Sequence, residues 1–202
     1  MAIKDHSLDD KIIKAAKEEF LEKGFQKASL HKIAEQAGIT TGALYTRYKN
    51  KDALFASLTE EAINGMKLHA EPLKEMYCEV EKNKDKNEFL KVMSYERQLY
   101  LDLIFEYYDE CKLFFCLSDG SSIETMMEQM METKANETVA FFQRIAKKPV
   151  DLNGVKIIMQ EQYHFYRLIL SKGYSKEEAA SCIQMIETFY EAGWRELFEQ
   201  IL

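Results

Sequence analysis

Between Ser29 and Asp52 the chain signals a helix start three times, at Ser29, at Thr40, and at Asn50 with Asp52. Such residues accept hydrogen bonds from the first, otherwise unsatisfied amides of a helix. The segments opened at Ser29 and Thr40 are only about two turns long, too short to overcome the nucleation cost of a helix in water. They can exist only packed on one another. Gly38 stops one segment, and Thr40 restarts the chain at once. Two short helices joined by a three-residue turn centred on glycine have the pattern of a helix-turn-helix. Ala34 is small where the two helices must cross, and Gly38 can take the positive φ that reverses the chain. Ile33, Ile39 and Leu44 supply the apolar contacts at the crossing. With these inside, Thr40, Thr41, Ala43, Tyr45 and Thr46 are left on the outer edge.

Around this core the helical period continues. Ser7, with Asp10 three residues on, opens a first helix carrying Ile12, Ile13, Ala16, Phe20 and Leu21, and Gly24 ends it as a left-handed cap. Leu54, Phe55, Leu58, Ala62 and Met66 define a fourth helix that the pattern ends near Pro72, with a restart through Leu73, Met76, Tyr77 and Val80. The charged run Glu79–Glu88 reads as a solvated link. Four further helices are expected over 87–108, 121–147, 152–171 and 175–201, with a turn at Asp119-Gly120 between the first two. No alternating strand pattern appears, and only two prolines interrupt 202 residues. The fold class is all-α: a three-helix, helix-turn-helix domain over 1–50 and a larger helical domain over 51–202.

Charge and composition narrow the function. The net charge is −7, yet residues 1–52 hold ten Lys/Arg against eight Asp/Glu, and the remainder holds 17 against 26. The acidity lies outside the first segment, which is left free to meet a polyanion. No apolar run is long enough to cross a membrane, and the N-terminus lacks the apolar stretch of a secretory signal, so a cytoplasmic location without membrane partners is expected. Cys78, Cys111, Cys116 and Cys182 form no CxxC pair and read as buried thiols. No nucleophile triad, HExxH, P-loop or GxGxxG is present, so no catalytic residue is assigned and no enzyme is expected. Glu161 and His164 form one ExxH, but His6, His31 and His69 cannot supply the second that a di-iron bundle needs. His164 is therefore expected in a core or interface, and neither metal nor cofactor is expected.

The outer edge of the third helix carries chemistry suited to B-DNA. Hydroxyls can meet phosphates or base edges, and the methyls of Thr and Ala can touch the thymine methyl. The helix start capped by Thr40 offers amides to phosphate. Tyr45 and Tyr48 donate from their phenols, while Arg47, Lys49 and Lys51 bring positive charge, with His31 and Lys32 on the preceding helix. The pattern Ser29, Ile33-Ala34, Ala37-Gly38-Ile39, Thr41-Gly42, Leu44-Tyr45, Tyr48, Lys51 and Leu54, preceded by Ile12, Ala15-Ala16, Phe20 and Gly24-Phe25, resembles the DNA-binding domain of the tetracycline-repressor (TetR) family. The resemblance covers about the first 55 residues. Two positions depart from it: Arg47 stands where the family often has His, and Ser29 where Thr is commoner.

The resemblance implies a homodimer whose third helices enter successive major grooves of a pseudo-palindromic, double-stranded operator, released by a small-molecule effector. Carried onto this sequence, the DNA-binding residues are Ser29, Lys32, Thr40, Thr41, Gly42, Ala43, Tyr45, Thr46, Arg47, Tyr48, Lys49 and Lys51. The C-terminal part is then expected to bind the effector and to dimerise. Its concentration of Tyr, Phe and Met suits an apolar ligand, with Tyr95, Glu96, Tyr100, Phe105, Phe114, Met126, Met130, Tyr163 and Tyr166 as candidate contacts. The last two helices are apolar over more than half their circumference and need cover on two sides. Ile158, Phe165, Ile169, Ile183, Ile186, Tyr190, Trp194 and Leu197 are the candidate dimer interface. The alternative is a helical adaptor whose helix-turn-helix meets protein and not DNA.

Overall fold

The computed structural model describes residues 6–201, all helices and connections, with no strand among them. The helices are α1 (His6–Lys27), α2 (Leu30–Gln36), α3 (Thr41–Arg47), α4 (Lys51–Asn83), α5 (Lys86–Glu106), α6 (Tyr108–Cys116), α7 (Ser122–Ile145), α8 (Leu152–Lys172) and α9 (Lys176–Ile201). The capping role expected of Ser7 lies outside the described side chains; α1 is already helical at His6. Gly24 does break α1, but at φ 72°, ψ 168° it is not a left-handed helical cap. That backbone region is open essentially to glycine alone, and it sends the chain through one further turn before α2.

Three expectations fail for local reasons. α4 does not stop near Pro72 but runs through it for 33 residues. The missing amide deprives only the carbonyl of Leu68, and both residues face solvent. The run Glu79–Glu88 is not an open link either: helix persists to Asn83, only Lys84-Asp85 turn, and α5 starts at Lys86. Lys84 takes a positive φ of 52° there. Asp85 then caps α5, accepting from the amides of Asn87 at 2.8 Å and Glu88 at 3.3 Å. The apolar stretch around Phe114 forms a helix of its own, α6.

The chain falls into two compact units, the residues up to Ile63 with Tyr107–Met127, and Asn64–Glu106 with Glu128–Leu202. α4 and α7 each contribute residues to both. In the first unit, the head, Ile12, Ala16, Phe20, Ile33, Leu44, Leu54 and Phe55 are buried together with Leu113 and Phe114 of α6. The rings of Phe20 and Phe55 meet edge to face at 4.9 Å. α6 is tied in by an ion pair of Lys17 with Glu110 and by the amide of Phe25 donating to the carbonyl of Leu117 at 2.9 Å.

The second unit is organised around Phe89, which meets Phe141 at 5.4 Å, Phe198 at 4.7 Å and Trp194 at 5.9 Å. Its helix ends carry local signals. Asp151 accepts from the amides of Asn153 and Gly154, Gly173 closes α8 in the left-handed conformation, and Ser175 with Glu178 forms a reciprocal capping box before α9.

Replacing Pro72 with Ala restores an amide donor inside a continuous helix and should stabilise the protein by up to about 3 kcal/mol. An unchanged urea midpoint would mean that α4 is interrupted at this point.

Candidate nucleic-acid interface and a buried polar cavity

The helix-turn-helix forms as its caps dictate. The Ser29 hydroxyl accepts from the Lys32 amide, and the Thr40 hydroxyl from the Ala43 amide at 3.1 Å. Gly38 takes φ +70°, and the amide of Ile39 returns to the carbonyl of Ala34 at 2.9 Å. Ile33, Ala34 and Leu44 are buried between α2 and α3. This leaves Thr40, Gly42, Tyr45 (51 % exposed), Thr46, Arg47 and Lys49 on the surface, with Thr41, Ala43 and Tyr48 half-buried. Lys32 and His31 are exposed on α2.

Several of these side chains already have partners. Thr46 donates back to the carbonyl of Gly42 at 3.0 Å. Arg47 is not free: its Nε donates to Asp9 of α1 at 2.9 Å. Lys51 is half-buried, and its Nζ donates to the carbonyls of Gln26 and Ala28, each at 3.0 Å, while lying 4.9 Å from the centre of the Phe25 ring. Burial pulls the Lys51 pKa below the ordinary lysine range, against the opposing pull of the Glu19 carboxylate. An ammonium has three N–H donors, so one remains for a phosphate. Glu19, buried in α1, accepts from the Ser29 amide at 2.9 Å and so caps α2 from another helix. Asp52 likewise accepts from the amide of Ser122, the first residue of α7, at 2.8 Å. Neither Glu19 nor Asp9 was marked by the sequence pattern, because their partners lie 10 and 38 residues away.

In the second unit, four of the candidate ligand residues converge. Glu96, Tyr100, Tyr163 and Tyr166 line one small void of about 20 Å³ together with Arg97 and Lys134. Glu96 accepts from the Tyr77 hydroxyl at 2.6 Å and pairs with Lys134 at 2.8 Å. Burial raises the phenol pKa values of Tyr77, Tyr100, Tyr163 and Tyr166, with the Glu96 carboxylate adding to the shift. These rings are therefore neutral donors. A cleft of about 350 Å³ shares Met93, Tyr100 and Lys134 with the void and continues past Leu73, Tyr77, Phe89 and Phe141. The other candidates do not join it. Tyr95 points half out to solvent, while Phe114 and Met126 belong to the head, where Phe114 packs on Phe115. Phe105 and Met130 are half-buried and do not line the void or the cleft.

The expected dimer residues divide similarly. Ile169, Ile183 and Trp194 are buried within their own unit, Trp194 stacking on Phe142 at 5.4 Å. Phe165, Ile186, Tyr190 and Leu197 are half-buried and Ile158 is exposed. The apolar side chains left uncovered are instead Ile157, Leu168, Met185 and Phe189, the last 77 % exposed. Three of the eight candidates thus face their own core, and the other five keep some exposure. His164 is neither core nor bundle ligand, since it stands exposed with Nδ1 3.4 Å from Glu161. Among the described residues no cluster of three metal-binding side chains occurs, and no helix is long and apolar enough to cross a membrane. Of the four cysteines expected to be buried, only Cys111 is; Cys116 and Cys182 are half-buried and Cys78 is exposed, on the outward side of α4.

Residues 12–58 match the model of the bacterial regulatory proteins of the tetR family. The sequence likeness to the tetR family is carried by this N-terminal segment. Over 50 residues it is 42 % identical to the fatty acid metabolism regulator protein of Bacillus subtilis (strain 168), a stretch covering 25 % of this chain and 26 % of that protein. The whole fold is similar to solved structures of tetR-type regulators. The FadR transcriptional regulator of Bacillus subtilis, solved with stearoyl-CoA, aligns with a TM-score of 0.56 at 17 % identity, over 94 % of this chain and 97 % of that one. A TetR-like regulator from Rhodococcus sp. RHA1 aligns with a TM-score of 0.57 at 14 % identity, over 92 % and 96 %. At such identities the likeness establishes the fold. The segment that matches the tetR family model is thus followed by a helical domain whose fold is similar to that of these structures.

Two outcomes follow from the geometry. Glu19→Ala strands the Ser29 amide and should cost about 1–3 kcal/mol in urea unfolding, with Glu19→Gln, which keeps an acceptor, milder. For the phenols, a folded pKa raised above the unfolded value near 10 contributes stability below pH ~10 that is lost as pH rises beyond it. Tyrosinate absorbance from the buried rings should therefore appear together with the loss of helical circular dichroism; ionisation in the intact fold would contradict their burial.

Proposed function

We propose that the protein is a ligand-responsive transcriptional regulator that binds a pseudo-palindromic operator as a homodimer through α3. The observation that carries this reading is the division of α3. Leu44 is sunk against Ile33 and Ala34, while Thr40, Tyr45 and Thr46 face solvent beside Lys49 and Lys32. Hydroxyl, phenol and methyl groups on such an edge can read base edges in the major groove, and the lysines meet phosphates. Arg47 joins them once Asp9 releases it, and Lys51 offers its remaining N–H. Ser29, Thr40, Gly42 and Ala43 place the backbone of α2 and α3 against the sugar-phosphate chain, and Thr41 and Tyr48 flank the edge.

A two-fold operator calls for a two-fold protein. The uncovered side chains Ile157, Leu168, Met185 and Phe189 of α8 and α9 support a second copy there, with Ile158, Phe165 and Ile186 at its margin. The effector occupies the second unit. Because α4 and α7 contribute to both units, a change that a ligand favours in one has a continuous helical path to the other. An effector that lowers operator affinity a hundredfold needs about 2.8 kcal/mol of differential binding to the two states. The name of one similar protein concerns fatty-acid metabolism and another was solved with stearoyl-CoA, and the aromatic side chains in the cleft favour a lipid-like ligand of that kind.

Selection of duplexes from a random pool should enrich a two-fold symmetric sequence. Against that duplex, Lys49→Ala should lower the salt-dependence slope by about 1, and Asp9→Asn, which frees Arg47, should steepen it by about 1. No enrichment, or equal binding to every competitor, would leave the helical adaptor as the surviving reading.

A further inference from the structure

Arg97 of α5 is 8 % exposed, yet among the described residues its Nε and Nη1 have no hydrogen-bond partner. The carboxylate beside it in sequence does not serve it, because Glu96 spends one oxygen on Lys134 and the other on Tyr77. Glu187 of α9 lies 4.0 Å from Nε, too far for a hydrogen bond, and accepts instead from Ser94 at 3.0 Å. The remaining neighbour is the face of Tyr190, 5.8 Å away. A buried guanidinium with unmade bonds is costly to keep, more so than a neutral group. Its planar fork of donors is matched best by a carboxylate, which takes two parallel bonds.

The surroundings say where that partner comes from. Arg97 lines the small void together with the Glu96–Lys134 ion pair, and its other walls are Tyr100, Tyr163, Tyr166, Met93 and Met159. That void has room for one water-sized group. Through Met93, Tyr100 and Lys134 it adjoins the apolar cleft of about 350 Å³ between α4, α5 and α7. Cationic Lys134 thus stands between cleft and void, and neutral phenols surround the end. A polar end with surplus donors, continuing into an apolar trough, fits one class of molecule.

We propose that Arg97 receives the carboxylate of an amphipathic effector whose apolar body lies along Leu73, Tyr77, Phe89 and Phe141. This rests on the regulator reading above and names the chemistry of its ligand. The void enlarges as the head group enters, with Tyr163 and Tyr166 of α8 moving aside. Glu187 competes for the same guanidinium and weakens the site.

The test is direct binding to the full-length protein, followed by the fluorescence of Trp194, the only tryptophan. The probes are decanoate and dodecanoate with dodecanol and dodecylamine as matched controls. Wild type should bind dodecanoate at least tenfold more tightly than dodecanol. Arg97→Gln should remove that preference while leaving dodecanol affinity unchanged, and Glu187→Gln, which keeps Arg97, should raise it. Equal affinity for acid and alcohol in wild type, or a preference unchanged in Arg97→Gln with Glu187→Gln also silent, would overturn the site. If Arg97→Gln fails to fold, the Glu187→Gln result alone decides. Operator release is measured separately. Carboxylate binding with no effect on DNA would sink the regulatory reading and leave the site standing, whereas release only by compounds without a carboxylate would do the reverse.

Discussion

One ammonium group holds the corner on which the head depends. After Gly24 the chain leaves α1, makes a single turn and enters α2, leaving the carbonyls of Gln26 and Ala28 turned towards Lys51. Lys51, at the first turn of α4, fills both, with the Phe25 ring beneath it. From the other side Glu19 satisfies the amide of Ser29. A buried or half-buried backbone group left unpaired is expensive, so these two charges fix where α2 begins. That in turn sets the angle at which Leu44 of α3 meets Ile33 and Ala34. The exposure of Tyr45 and its neighbours follows from a corner they do not touch. Lys51 was read from the sequence as a phosphate ligand; the structure gives it a prior duty in folding, and two roles on one side chain are compatible because each uses different N–H bonds.

The second unit shows the opposite economy. Its aromatic centre around Phe89 holds one polar atom, the unpaired Nε1 of Trp194, and beside it lie Glu96, Arg97, Lys134 and the phenols of Tyr77, Tyr100, Tyr163 and Tyr166. Stability alone would be better served by apolar residues of similar volume. Each oxygen of Glu96 has a partner, in Tyr77 and Lys134, whereas the Nε and Nη1 of Arg97 have none.

Most helices, the caps at Ser29, Thr40 and Asn50, and the exposed edge of α3 were legible because each rests on residues a few positions apart. Where the reading failed, the deciding partner was distant or the signal was two-sided. Pro72 was taken as a helix end because a proline interior to a helix is costly. Its cost is small here, since the carbonyl it deprives is on the wet side. Phe114 and Met126 were assigned to a cavity by composition, but α6 folds onto α1. On α8 and α9 both faces are apolar, so nothing local distinguished inward Ile169, Ile183 and Trp194 from outward Ile157, Met185 and Phe189. What was not legible is that Arg97 would be buried with donors unpaired: a charged residue in an amphipathic helix reads as solvated until its neighbours are known.

The return of α6 to the head has an evolutionary corollary. Glu110 meets Lys17, the carbonyl of Leu117 receives the Phe25 amide, and the amide of Ser122 donates to Asp52, so the head is completed by residues encoded after the first two helices of the other unit. It is not a detachable cassette. A recombination that joined only the N-terminal segment to a new partner domain would leave the Phe25 amide and the Asp52 carboxylate unpaired and one wall of the Phe20–Phe55 core missing. The segment from Tyr107 to Met127 therefore has to stay matched to α1 and the start of α4.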